Sequence, residues 1–514
     1  MPDEIELKLA LAAELIGSVR RDPTLQAQAL KRPTTRRLLS IYYDTPDLSL
    51  SDAGMALRVR RVGERFVQTL KVAGAPGGGL QRHAEHEQPV PGERPELQRI
   101  ELPALQRFFE KHKVARRLAP VFTTDIARRT WLVGHAGAEI EVALDEGEIE
   151  SGGRRLTVAE LELELVLGPT QALYDLAIDL AQRWPLRIEW RTKAARGYRL
   201  FVGGKPEPLP GSAIALDRSL TARAAFGAIA RACMAQFGAN ETAAELGEDP
   251  EGVHQARVAL RRLRALVAAY RHHMADEAHG WLSGELRWVQ QELSPARDWD
   301  VFVGYALPPI LKRLPNETAL VHLGAEADKL RREAYETVRA LFAAPRYTLL
   351  LLKLGRMLEA DDWAPPVGTA EATVLQGPVK RFADRLLTFR HRRLRKFGKN
   401  LKDLGESDLH RLRLLAKKMR YSADFFRSLY PQRPVRRYLA AVAELQDRLG
   451  SINDAVVTHG LMQKLEARMP DSAEAGHAIG LVRGWQAARI EHDIAGFAAV
   501  WGDFLDRKPF WGKG

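Results

Sequence analysis

The chain has 514 residues, 46% of them hydrophobic and 28% charged, with a formal net charge of +12. It is too long for one core and too apolar for a disordered chain, so several folded domains are expected. A single cysteine, Cys233, excludes an intrachain disulfide and a cysteine-built zinc site. The first twenty residues fit neither a signal nor a transit peptide, and the longest apolar run, near residues 349–352, is far too short to cross a bilayer. The expectation is a soluble cytoplasmic protein with no membrane partner.

The chain changes period along its length. The first two hundred residues alternate with period two, in Glu4-Ile5-Glu6-Leu7-Lys8-Leu9, Leu57-Arg58-Val59-Arg60, Glu139-Ile140-Glu141-Val142-Ala143-Leu144-Asp145 and Glu160-Leu161-Glu162-Leu163-Glu164-Leu165. Each run puts charge on one face and apolar side chains on the other, and turn signals such as Ser151-Gly152-Gly153 separate them. Many half-buried strands read as an antiparallel sheet closed into a barrel. A charged face on one strand normally meets water; here acidic and basic strands coexist. Closed inward, their faces would line one lumen in which carboxylates suit Mg²⁺ or Mn²⁺ and Arg and Lys suit phosphate oxygens.

A Gly-Pro-rich segment at 203–211 reads as a linker, with domain limits expected at 1–203, 204–214 and 215–510. Beyond it the period is helical, and 218–239, 252–275, 316–343, 370–404, 407–428, 434–449 and 472–505 read as helices of a bundle. Through Pro210 there are 31 Lys and Arg against 29 Asp and Glu; from Gly211 onward there are 46 against 36, so the second half should meet an anionic partner. That half is also duplicated: residues 254–264 match 410–420 without a gap, and the same offset carries Gln290 onto Gln446 and Asp298 onto Asp454. Two homologous repeats, about 215–365 and 370–510, related by a pseudo-two-fold are expected. At 100° per residue, His254, Arg257, Arg261 and Arg264 fall within one arc, as do His410, Arg413, Lys417 and Arg420. Each stripe could be a solvated face, but acidic residues at compensating spacing are nearly absent, and two stripes joined by a dyad would form one cationic groove.

The N-terminal residues carry a resemblance. Glu4-x-Glu6-x-Lys8, Tyr42-Tyr43-Asp44-Thr45, Leu57-Arg58-Val59-Arg60, Thr69-Leu70-Lys71, Glu85-x-Glu87, Leu144-Asp145-Glu146-Gly147-Glu148-Ile149, Glu160-x-Glu162-x-Glu164 and Lys193-Ala194-Ala195-Arg196-Gly197-Tyr198 occur in the order seen in the CYTH, or triphosphate tunnel metalloenzyme, superfamily. The resemblance covers residues 1 to about 205. It implies an eight-stranded antiparallel tunnel with flanking helices that hydrolyses inorganic triphosphate with a divalent metal. It assigns Glu4, Glu6, Glu162 and Glu164, with Asp145 a weaker candidate, to Mg²⁺ or Mn²⁺. It assigns Lys8, Arg58, Arg60, Lys71, Arg128 and Lys193 to triphosphate, with Lys8 and Lys193 at the chemistry. Arg128 is preferred to Arg129, which shares the parity of Trp131 and Val133. The tyrosine motif at 42–45 is given a structural role.

The second half resembles the CHAD family, through His254-x-x-Arg257-x-x-x-Arg261-Arg262-x-Arg264, its copy at 410–420, and Leu445-Gln446-Asp447-x-Leu449-Gly450-x-x-Asn453-Asp454. This resemblance covers about 215–505 and implies helical bundles that bind inorganic polyphosphate. It gives that role to His254, Arg257, Arg261, Arg262, Arg264, His410, Arg413, Lys417, Lys418 and Arg420, with Arg393 and Lys396 extending the surface. Asp298, Asn453 and Asp454 are expected to cap helices. Association with polyphosphate granules is a corollary. Nucleic acid is disfavoured because aromatics for base stacking do not interleave the stripes. For the barrel, a non-catalytic polyanion receptor and an adenylate cyclase are the alternatives. The residues leave chain-length preference and oligomeric state open.

Overall fold

A computed structural model describes residues 4–74, 77–399, 405–470 and 472–512, with the side chains of 406, 451–453 and 493–495 outside the description. The chain divides into two compact units, one of residues 1–207 with 343–361 and one of 208–342 with 362–514.

In the first unit, strands β1 Glu4–Ala10, β2 Thr34–Asp44, β3 Met55–Val62, β4 Arg65–Ala73, β5 Leu80–Val90, β6 Ala119–His135, β7 Ala138–Ser151 and β8 Arg154–Leu167 form one antiparallel sheet. Its order is β5-β4-β3-β2-β6-β7-β8-β1, and β1 pairs back onto β5 to close an eight-stranded barrel. A two-residue strand, Arg187–Ile188, joins the end of β1. The alternation seen in the sequence sets the register. Glu6 lies opposite Glu164 and Lys8 opposite Glu162, while between them Leu7 faces Leu163 and Leu9 faces Leu161. Period two sends the charged set inward, and the leucines are fully buried on the outer face, beside the helix Gln171–Arg183.

The helix Lys193–Val202 is started by Thr192, whose hydroxyl accepts from the Ala195 amide at 3.0 Å. It lies against β6, β7 and β8. Gly197 permits the approach: a Cβ there would stand 2.2 Å from the Phe122 ring. The helix Pro345–Ala360, which the sequence placed in the first helical repeat, instead packs on helix 171–183 within the barrel unit. Gly355 abuts Tyr174, where a Cβ would fall 2.3 Å from a ring carbon, and Arg356 pairs with Asp175 at 2.8 Å.

In the second unit the duplication is structural. Helices Ala222–Leu246 and Pro250–Tyr270 recur as Val379–Phe397 and Glu406–Phe425, and Asp276–Val301 recurs as Gln432–Arg448 followed by Gly450–Arg468. The repeats meet in a short antiparallel bridge: the Ala222 amide donates to the Gly377 carbonyl and the Val379 amide to the Leu220 carbonyl, both at 2.9 Å. Exchanging the repeats exchanges these two bonds, as a pseudo-two-fold requires. The expected helix 370–404 is split, because Gly377-Pro378 ends Ala370–Gln376 before Val379–Phe397 begins; positions 400–404 lie outside the described residues. Helices 276–301, 345–360 and 450–468 were not read from the sequence. The segment expected as a free linker is partly tied down: the Leu209 amide donates to Asn240 Oδ1, and Asn240 Nδ2 donates to the Leu209 carbonyl, each at 2.8 Å. Among the described residues no helix is long and apolar enough to cross a membrane.

Packing around Gly355 gives a test. Gly355→Val should destabilise the barrel unit by about 1–3 kcal/mol through overpacking against Tyr174, measured by thermal melting of the full chain.

Candidate functional site

The barrel encloses a cavity of about 450 Å³. All eleven residues that the sequence assigned to the tunnel line it: Glu4, Glu6, Lys8, Arg58, Arg60, Lys71, Arg128, Asp145, Glu162, Glu164 and Lys193. Arg129 instead stacks over the Trp131 ring, 5.1 Å from its centroid, on the other parity. Tyr42, Glu85 and Glu87 also line the cavity.

One wall is a dense ion network. Arg128 makes a two-pronged contact with Asp145, at 2.7 and 2.6 Å, and also bonds Glu162. The Lys193 ammonium lies among Asp145 at 2.6 Å, Glu162 at 2.9 Å and Glu160. Lys8 bridges Glu6 and Glu162, each at 2.6 Å. Burial alone would neutralise these groups, but their opposite charges win. Burial raises the Glu162 carboxyl, yet Lys193, Lys8 and Arg128 hold it well below its usual range, and Glu6 is lowered to about 2 by Lys8 and His83 against the same burial. Among the described residues, Asp145, Glu160 and Glu162 form the one group whose carboxylate oxygens all lie within 4.8 Å of one another. Lys193 and Arg128 already compensate it. Glu160 was given no site role from sequence; it is fully buried and holds both Lys193 and Arg196, and its place in the alternating run 160/162/164 was the available signal.

At each pole of the cavity one group, Glu164 or Arg60, has no ion-pair partner among the described residues, while Glu4, Glu6 and Arg58 are paired with Lys71, Lys8 and Glu85. Toward one side, burial and the charges of Glu4, Glu141 and Glu6 raise Glu164 to about 7, and no ion-pair partner reaches it among the described residues. Glu4 is raised by burial despite Lys71 at 2.6 Å. Toward the other, burial and the neighbouring Arg58 and Arg128 push Arg60 down to about 10, and its described polar partner is Ser40 Oγ at 3.2 Å. Tyr42 is buried beside this cationic pole, where Arg58 and Arg60 outweigh burial and lower its hydroxyl; it also stacks on Phe122 at 4.3 Å. Thus the crowded acidic pole of Glu4, Glu6 and Glu164 has the donor chemistry of a hard divalent cation, and the arginine pole that of a phosphate chain.

In the helical unit the two basic stripes converge. Burial first, and then Arg261, Arg413, Arg257 and Arg264, push Lys417 down to about 8, so residues of both repeats crowd one ammonium. Arg257 falls to about 10 through burial, Arg261 and Arg297, with Asp298 opposing, and it bonds Ser294. Arg297 also lowers His254; it belongs to this cluster although the sequence gave it no role. His254, Arg261 and Arg420 line a cavity of about 670 Å³. His410 is exposed, as is Lys396. Arg262 lines the same cavity but is engaged within the protein. It is buried, bonds Gln236 at 2.8 Å and lies 3.9 Å from Asp424. Arg393 and Lys418 line a different cavity. Asn453, expected as a cap, has its side chain outside the described residues.

Fold and site define a closed tunnel barrel with a bipolar charged lumen, followed by a duplicated basic helical bundle. The chain belongs to the proteins that join a CYTH domain, matched at residues 2–198, to a CHAD domain, matched at 228–463. It is 32% identical over 200 residues to the inorganic triphosphatase of Haemophilus influenzae, an alignment covering 39% of this chain and 55% of that protein, so the chain spans about half the length of this relative. It is 30% identical to the solved CHAD domain of the plant Ricinus communis, with a TM-score of 0.52, covering 60% of this chain and 99% of the plant chain. A structure from Hippeastrum, described as revealing a dominant triphosphatase activity, is 20% identical with a TM-score of 0.28, covering 40% of this chain and 98% of its own.

Two isosteric changes should act in opposite directions on the metal-free protein. Glu162→Gln leaves Lys8, Arg128 and Lys193 under-compensated in a buried site and should cost about 3–5 kcal/mol. Glu164→Gln removes like-charge crowding and should stabilise by up to about 1 kcal/mol, a value discounted for its partial exposure. Denaturant melts at neutral pH in EDTA distinguish the two.

Proposed function

We propose that the barrel is a metal-dependent hydrolase of inorganic triphosphate and that the helical domain binds inorganic polyphosphate. The observation that carries the first part is one cavity of about 450 Å³ lined by carboxylates and cations, in which Glu164, raised to about 7, and Arg60, lowered to about 10, keep no ion-pair partner among the described residues. Similarity to the Haemophilus protein named inorganic triphosphatase supports it. Glu4, Glu6 and Glu164, with Glu162 beside them, would hold Mg²⁺ or Mn²⁺, which when bound neutralises phosphate charge and polarises the anhydride. Asp145, the weaker metal candidate, chelates Arg128 and positions it instead. Arg58, Arg60, Arg128 and Lys71 hold phosphate oxygens, and Lys8 and Lys193 stabilise charge that develops on the departing phosphate. In this reading Glu160 and Arg196 fix the helix that carries Lys193 against the barrel wall.

For the helical domain, the convergence of His254, Arg257, Arg261, Arg264, Arg413, Lys417 and Arg420 supports polyphosphate as partner, since that polymer needs charge without base stacking. The protein would then act in the cytoplasm, with polyphosphate granules as one place of residence.

Phosphate release by the full chain from inorganic triphosphate, ATP and long polyphosphate, with Mg²⁺ or Mn²⁺, tests the enzyme. Triphosphate should be the preferred substrate, and Glu4→Gln/Glu6→Gln should abolish release. No release from any substrate by a folded protein that still binds polyphosphate would leave a polyanion receptor. Binding in the helical domain carries a pH signature. Lys417 is charged below about pH 8 and loses its proton above it, so polyphosphate affinity should fall about 3- to 10-fold between pH 7 and 9. Lys417→Met should flatten this profile, as read by titration calorimetry.

A further inference from the structure

We infer that a cavity of about 380 Å³ in the helical unit, separate from the converged stripes, is a binding site for a nucleotide. It lies between the end of helix 250–270, helix 379–397 and helix 406–425, and its size suits a small ligand. Its floor is apolar, formed by Phe382, Leu386, Leu415 and Val374, and Phe389 stands at its edge with 60% of its surface exposed. Arg385, Arg393 and Lys418 line it as well; among the described residues none of the three has an ion-pair partner, and no carboxylate joins the lining. A bare polyphosphate would use the cations and leave the apolar floor and Phe389 idle. An anion with a planar apolar body uses both, the ring stacking on Phe389 and the phosphates meeting the cations.

The duplication supplies an internal control. Between helices 222–246 and 379–397 the buried positions correspond at an offset of 157: 222, 225, 226, 230, 233, 234 and 237 fall on 379, 382, 383, 387, 390, 391 and 394. By that correspondence the first repeat has Ala228 for Arg385, Ala232 for Phe389 and Gln236 for Arg393. At the offset of 156 it has Arg262 for Lys418, and Asp424 stands where this cavity has Ala268. The first-repeat copy is satisfied internally, since Arg262 bonds Gln236 and lies near Asp424. In the other copy the carboxylate is gone, two small residues have become Arg and Phe, and a third cation has replaced the amide. An exposed phenyl ring beside unpaired arginines suits a ligand that is both planar and anionic.

The test is titration calorimetry of ATP and of inorganic triphosphate in EDTA, on the full chain carrying Arg58→Ala/Arg60→Ala and Arg257→Ala/Arg261→Ala to weaken anion binding in the barrel and on the converged stripes. One ATP should bind per chain, more tightly than inorganic triphosphate. Phe389→Ala should weaken ATP about tenfold or more while leaving triphosphate unchanged, and Arg385→Ala/Arg393→Ala should weaken both. These side chains are exposed, and unchanged circular dichroism and melting confirm folding. ATP binding that ignores Phe389→Ala, or triphosphate binding as tight as ATP, overturns the inference.

Discussion

The barrel depends on enclosing charges of both signs in a lumen that water reaches poorly. Carboxylates alone would be driven to protonate, and guanidinium and ammonium groups alone would repel one another. The ligand-free tunnel resolves this along one wall by pairing its own groups: Lys8, Arg128 and Lys193 are each held by two or more carboxylates. The residue of unresolved charge is left at the poles, where Glu164 is raised and Arg60 lowered. A cation and an anion together satisfy both poles, whereas either alone leaves the other pole unsatisfied.

The helical unit resolves like charge differently. Its stripes carry one sign, and burial together with repulsion depresses Lys417 and Arg257 rather than pairing them. Such a surface gains most from a flexible polyanion that contacts several cations at once. The repeats present this surface twice across the pseudo-dyad, while the residues around the peripheral cavity differ between the two copies.

Much of this was legible in the sequence because period two is strict where one face must be charged. A one-residue slip would expose Leu7, Leu161 and Leu163 to the lumen, so parity separated Arg128 from Arg129, while the other tunnel residues, including Lys193 on its helix, came from the family resemblance. The basic stripes were visible because their spacing repeats at one offset. Helices 276–301 and 450–468 were missed because their apolar positions are diluted by polar residues. Helix 345–360, not read as a helix, fell inside the expected first repeat because a linear domain limit cannot show that a segment returns to the earlier core. Glu160 and Arg297 escaped because their importance comes from partners distant in sequence, and Phe389 because its exposure is a property of the packed structure.

On the proposed function, metal and triphosphate each satisfy the pole of the tunnel that the other leaves. Calorimetry with a non-hydrolysable imidotriphosphate, with and without Mn²⁺, measures this most directly. Each ligand should tighten the other by the same factor, about tenfold or more, from either order of addition. Affinities that do not depend on the second ligand would contradict it.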